Sequence, residues 1–322
     1  MPPSVPRTIA RPIEPPIEPP SDLPISAAIC PATRLVTVRV TSRVTRARTG
    51  AFVNAPEYLP LPDTQSLPDG RELPIERVGV KGLRYPVAIR QADGEVQHTI
   101  AEFGMYVGLA HDVKGTHMSR FVEILEERRQ PLDLGGLRAM HERMLSRLGA
   151  VTGRLELHFP YFIRKAAPVS AVESLLDYDA RWTIETGADA RTRLAIELVA
   201  PVTSLCPCSK KIADYGAHNQ RSHITVRVEV AAGDLSLEEL ARIAEEEASS
   251  ELYGLLKRSD EKFVTERAYD NPKFVEDLVR DIALRLGRDP RIGVFRVASE
   301  NFESIHNHSA YAEIVGAGAA PI

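Results

Sequence analysis

Cysteine is scarce in this chain of 322 residues: there are three, Cys30, Cys206 and Cys208. So few thiols, so unevenly spaced, exclude a disulfide framework and fit a reducing compartment, so a cytoplasmic protein is expected. Long apolar runs are missing as well. No stretch approaches the roughly 18 residues that cross a bilayer, and the N-terminus lacks the apolar centre of a signal peptide. Neither membrane insertion nor secretion is expected. An excess of charge of one sign is also absent. A formal net charge of −4 makes no general field for nucleic acid, so a polyanionic ligand must be held by a local cluster of cations. What is present is ordinary globular composition, 43% hydrophobic and 26% charged, in a length suited to two domains or one duplicated fold.

Proline is plentiful at the start. Residues 1–30 carry a tandem IEPP and little that can be buried, and read as an extended tail outside the fold. Residues 31–76 hold one alternating strand, Leu35–Thr45, and a proline-containing linker, Asn54–Pro68. Strand patterns follow at Val78–Val80, Tyr85–Arg90 and Val96–Leu109. Two helices come next, one capped by Ser119 with Phe121, Ile124 and Leu125 inward, the other capped by Asp133 with Leu137, Met140 and Met144 inward. Strands resume at Gly153–Arg164 and Leu176–Glu185.

The second half repeats this order. Strands Arg193–Val202 and Ser222–Val230 precede a helix opened by a Ser236–Glu239 capping box. A further helix has Asn271 as its cap, Pro272 in its first turn, Phe274, Val275, Leu278, Val279, Ile282 and Leu286 as its stripe, and Gly287 as its stop. Strands Ile292–Ala298 and Tyr311–Val315 close the chain. The sequence therefore predicts a duplicated α+β fold, with an antiparallel sheet and helices on one face, the units spanning 77–190 and 191–316.

Chemistry-bearing residues gather in Ser204–Ser222, SLCPCSKKIADYGAHNQRS. This segment reads as a loop between strands in which Pro207 stiffens the C-P-C turn and nearby lysines favour thiolate. A basic surface loop with two buried thiols explains the same residues, since C-x-C is less specific than paired C-x-x-C motifs. Farther on, KRSDEKFVTERAY (Lys257–Tyr269) and NFESIHNH (Asn301–His308) supply carboxylates and imidazoles. Cys206, Glu261 and His306 together offer S, O and N donors with a coordination position left for water. Taken singly, each acid also suits a solvated helix face.

Five blocks in order, VGVKGLRYP (Val78–Pro86), HDVKGTHMSRFVEIL (His111–Leu125), TSLCPCSKKIADYGAHNQRS (Thr203–Ser222), DEKFVTERAYDNPKFVEDLVRD (Asp260–Asp281) and ENFESIHNHSAYAE (Glu300–Glu313), resemble type IB GTP cyclohydrolase I. The resemblance implies tandem tunnelling-fold units, a homotetramer with active sites between subunits, and hydrolysis of GTP to 7,8-dihydroneopterin 3'-triphosphate and formate for folate or modified tRNA bases. It also implies a divalent metal, zinc, manganese or iron, at Cys206, Glu261 and His306 with Glu303 close by, activating a water for attack on C8.

By the same resemblance Cys208 and His218 are active-site residues, and Glu276 is the carboxylate that anchors the purine. Lys114, His117 and Arg120 are the foremost candidates for the triphosphate, at a helix N-terminus that suits anions, with Lys81, Arg84, Lys210 and Arg221 behind them. Two rivals are carried forward. One is a metal-free nitrile reductase of the same fold that uses a cysteine nucleophile and NADPH; the other is a non-catalytic purine-binding module with a structural metal.

Overall fold

A computed structural model describes residues 63–319 apart from Ser66. The expected tail, Cys30, the strand Leu35–Thr45 and most of the linker Asn54–Pro68 lie outside the described residues.

Alternation of apolar and polar residues produces long strands, and their inward positions fuse into one core. The first half runs β1 (Ile75–Arg90), β2 (Val96–Leu109), α1 (Ser119–Glu126), α2 (Leu134–Leu148), β3 (Gly153–Ala166) and β4 (Glu173–Thr186). The second runs β5 (Thr192–Leu205), α3 (Pro207–Ile212), β6 (Asn219–Val230), α4 (Leu237–Glu247), β7 (Ser250–Glu251), α5 (Arg258–Asp270), α6 (Val275–Leu286), β8 (Ile292–Phe302) and β9 (Ser309–Ala317). All pairings between these strands are antiparallel. They form one sheet in the order β1-β2-β3-β4-β5-β6-β8-β9, with β7 beside β5. Each half is thus two strands, helices, two strands, and the halves join edge to edge where β4 pairs with β5. This is the expected duplicated α+β arrangement, an antiparallel sheet with its helices on one face.

One face of the sheet is apolar and the other charged, as a one-sided antiparallel sheet requires. Phe103, Leu157, Leu198 and Val226 from the strands share a single buried cluster with Phe121, Leu137, Leu240 and Ile282 from the helices. On the opposite face Arg154 bonds Glu156 and Glu185, Arg227 bonds Glu197, and Arg296 bonds Glu313. Among the described residues no helix is long and apolar enough to cross a membrane.

The helix signals hold in part. Asp133 caps α2 by accepting from the Gly136 amide at 2.7 Å, and Ser236 and Glu239 form the capping box of α4. Ser119, however, is the first residue of α1, and the cap position falls on Met118, which makes no side-chain cap bond. Asn271 does not cap α6 either. It ends α5, and its Nδ2 donates to the Ala248 carbonyl at 2.8 Å, while Phe274 precedes α6. Pro272, which cannot continue a helix, marks the stop of α5 and not a first turn of α6. The strand patterns Val78–Val80 and Tyr85–Arg90 are one strand, irregular between Val80 and Leu83, where Gly82 takes φ 71°.

Candidate active site

The β5–β6 pairing ends at Leu205 opposite Asn219, so the residues just beyond, Cys206 and His218, face each other. Their backbones are bonded, the Cys206 amide donating to the His218 carbonyl at 3.1 Å. The intervening C-P-C segment opens the short helix α3 and is not a loop. Pro207 takes the first helical position, where its missing N–H costs nothing, and the Cys206 Sγ accepts from the Ser209 amide at 3.5 Å. Ser209 fastens the other side: its hydroxyl donates to the Cys206 carbonyl at 3.1 Å and accepts from the His218 amide at 3.2 Å. The half-buried Cys206 thiol and the His218 backbone are therefore fixed relative to each other. Cys208, one residue into α3, is exposed.

Polar side chains replace the apolar core behind this end of the sheet. Ser204, Ser222, Ser299 and Asn301 are buried on β5, β6 and β8. Ser222 donates to Ser204 at 2.7 Å, and Ser299 to Asn301 at 3.1 Å. In front of them the His218 Nδ1 lies 3.2 Å from the Gln220 Oε1 and 4.0 Å from the Glu303 Oε2. Both side chains are largely covered, His218 at 16% and Glu303 at 14% exposure. Cys206 and His218 are thus joined through their main chains, and the Glu303 carboxylate lies beside the His218 ring. Gln220 and Ser209 belong to the same cluster and were not singled out by sequence reasoning. The inward spacing of Gln220 on β6 marks it as buried but not as a neighbour of the ring, and Ser209 on α3 carries no sign of its own.

Other expected residues sit apart from this cluster. Glu261 is exposed in the first turn of α5, and His306 is exposed between β8 and β9, where its ring stacks on His308 with centroids 5.2 Å apart. Glu276 is exposed in the first turn of α6. The segment leading to it is tied to the site, because the Lys273 amide donates to the Leu205 carbonyl at 3.1 Å.

Of the expected anion ligands, Lys114 is exposed, His117 pairs with Asp63 at 3.3 Å, and the Arg120 guanidinium reaches the Arg147 carbonyl at 3.5 Å. All three belong to the first half. Lys81 is exposed on β1, as is Arg84, 4.0 Å from Glu102. Arg221 is exposed on β6, whereas the Lys210 ammonium bonds the Tyr269 carbonyl and lies 4.1 Å over its ring. A concavity of about 500 Å³ on the charged sheet face, lined by Arg154, Thr183, Arg193 and Arg227 among others, holds none of the expected residues.

The chain matches the family model for type I GTP cyclohydrolase FolE2 over residues 61–312. The chain belongs to the FolE2 family of type I GTP cyclohydrolases. It is 65% identical over 264 residues to GTP cyclohydrolase FolE2 1 of Dechloromonas aromatica, covering 82% of this chain and 99% of that protein. It is 61% identical over 254 residues to GTP cyclohydrolase FolE2 of Paraburkholderia xenovorans, covering 79% and 94%. Among solved structures, uricase from Arthrobacter globiformis aligns over 77% of this chain and 95% of its own, with a TM-score of 0.46 and 8% identity.

In this FolE2-family chain the donor set expected for a metal is chemically apt, one thiol with carboxylates and imidazole. A single chain does not assemble it. Among the described residues no three His, Cys, Asp or Glu side chains stand within reach of one ion.

Proposed function

We propose that this chain is a type IB GTP cyclohydrolase I that hydrolyses GTP to 7,8-dihydroneopterin 3'-triphosphate and formate. The observation that carries the reading is the joining of Cys206 to His218 at the end of β5, with the Glu303 carboxylate 4.0 Å from the His218 ring, in a FolE2-family chain. Guanine presents N1–H and its 2-amino group side by side, and the Glu276 carboxylate accepts both in this proposal as charge-assisted bonds. His218 exchanges protons with the opening imidazole ring as general acid and base. Cys208 lies beside the reacting carbon. Lys114, His117 and Arg120 take the triphosphate, where the α1 N-terminus adds its dipole.

The proposal includes a homotetramer with sites shared between copies. What supports it is exposed apolar side chains beside the separated residues: Ile305 is 63% exposed next to His306, Phe263 40% near Glu261, and Tyr215 95% in the segment before His218. Surface of this kind is suited to being covered. A zinc, manganese or iron ion at Cys206, Glu261, Glu303 and His306 then requires donors from two copies. Purified protein incubated with GTP and single divalent ions, assayed for formate and pterin fluorescence, tests the activity. GTP bound but never converted would leave a purine-binding module, and NADPH oxidation with a nitrile substrate would favour the reductase.

A further inference from the structure

We propose that the crevice between α1 and α2 is a binding site for a small organic anion, whose phosphate or carboxylate group is held by Arg128, Arg129 and Arg143. The crevice has a volume of about 350 Å³ and shares no residue with the site proposed for GTP. Arg120, assigned to the triphosphate, stands near the other end of α1, about 12 Å from Arg128 along the helix axis.

Charge along the walls is one-sided, with three arginines against one acid, Glu127. Glu127 is itself divided, since it pairs with Arg147 outside the crevice and with Arg143 at 3.5 Å. Among the described residues no carboxylate lies within ion-pairing distance of Arg128 or Arg129. Arg128 is also half-buried. Its guanidinium makes one hydrogen bond among the described residues, from Nη1 to the Gln130 carbonyl at 3.0 Å, and its shielded Nε–H has no acceptor. Burial pulls its pKa below the ordinary arginine value. A cation withdrawn from water without a counter-charge costs stability. An anion bonded to the remaining donors offsets that cost through a charge-assisted pair.

The crevice is also shaped and held. Gly136, Ala139 and Arg143 follow one another along one face of α2, and the two short residues leave the space that the arginines overlook. Ile124, Leu132 and Met140 lie buried beneath it. The connection that carries Arg128 is anchored at Leu132, which exchanges hydrogen bonds with Ala88 and Arg90 of β1 at 2.7 and 2.9 Å. An apolar body fits between Pro131 and Ala139 while its acidic group meets the guanidinium groups.

The test uses the full chain in its native assembly, titrated calorimetrically with phenyl phosphate, benzoate and the neutral benzyl alcohol. Phenyl phosphate or benzoate should bind, and the tighter of the two names the preferred acid group. It should exceed its ring-free counterpart, inorganic phosphate or acetate, by roughly tenfold, the gain expected from covering the ring. Binding of neither overturns the proposal, as does benzyl alcohol binding equally well. Arg128→Met keeps the aliphatic stem and should weaken the tighter probe by roughly 10- to 100-fold. Its Tm without probe should stay level or rise, because the unpaired charge is gone. Ala139→Phe keeps every charge and fills the space, and should weaken the aromatic probe while sparing its ring-free counterpart. Unchanged affinity in both variants overturns the proposal.

Two further measurements separate the crevice from catalysis. Lys114→Ala should leave probe affinity unaltered, and Arg128→Met should leave kcat/KM for GTP unaltered. Probe binding lost in the first, or GTP turnover lost in the second, would make the crevice part of the substrate site and overturn its independence. A parent protein that binds the probe but never converts GTP would remove the catalytic reading and leave this site standing.

Discussion

Asp260 and Ser170, ninety residues apart, are joined by two hydrogen bonds: the Ser170 amide donates to Oδ1 at 2.8 Å and its hydroxyl to Oδ2 at 2.6 Å. The Val169 and Lys257 amides complete the set at 2.8 Å each, so a fully buried carboxylate pins the first turn of α5 to the turn between β3 and β4. These donors hold the Asp260 carboxyl well below the usual aspartate range against the opposing effect of burial. A depressed carboxylate stabilises the fold above the unfolded value near ~3.9, and the contribution is lost as pH falls below it toward the folded value. Asp260→Ala should lower Tm at pH 7 by on the order of 5 °C and flatten the loss of stability below pH ~4. Scanning calorimetry of both proteins across that range checks it; an unchanged acid limb refutes it.

His141 gives a second, milder pH effect of known sign. The ring is buried on α2, with Nε2 2.9 Å from the Thr186 hydroxyl and Nδ1 without a partner. Burial lowers its pKa from 6.5. Below 6.5 the unfolded chain therefore binds a proton that the folded chain refuses, and stability declines toward acid by at most about 1.4 kcal/mol per pH unit. In His141→Gln this slope between pH 7 and 5.5 should disappear from denaturant midpoints, even if the variant is less stable throughout.

Glu276 is exposed in the first turn of α6 and its loss should spare the fold. Glu276→Gln should raise KM for GTP by roughly 10-fold or more, the loss expected for a charge-assisted pair. Discrimination between GTP and inosine triphosphate, which lacks the 2-amino group, should shrink in the same variant. Equal discrimination in variant and parent would remove Glu276 from the purine site.

Cys206 combines a helix cap with a proposed metal ligand, and serine separates the two. Cys206→Ser retains an acceptor for the Ser209 amide, and serine caps helices well, so Tm should change little. Metal per chain after dialysis should fall nonetheless, together with formate release. Full metal occupancy in Cys206→Ser would show that the thiol is not a ligand.

Much of the fold was legible because inward apolar positions at a spacing of two, as in Leu155, Leu157 and Phe159, can only be strands with one buried face. The limits were local. Asn271 and Pro272 read as the opening of α6 because stop and start signals of adjacent helices share the same residues. The C-P-C segment read as a loop because a helix as short as α3 leaves no periodicity to detect. At the site, residue types pointed to Cys206, Glu261 and His306, and only the family resemblance added His218 and Glu303. Gln220 stayed hidden because a polar residue at an inward strand position carries no mark of the ring it will hold. Glu261 and His306 are a different case, since the contacts that would unite them with Cys206 are not made within one chain.

The sheet begins at β1 and stops at β9 without closing on itself. Part of the β1 border is covered, where Leu132 exchanges hydrogen bonds with Ala88 and Arg90. Along β9, among the described residues, no strand pairs with the outer side. A border of that kind is adhesive toward any extended backbone. For this polypeptide that last strand is consequently the place where an unguarded copy is most open to stray pairing.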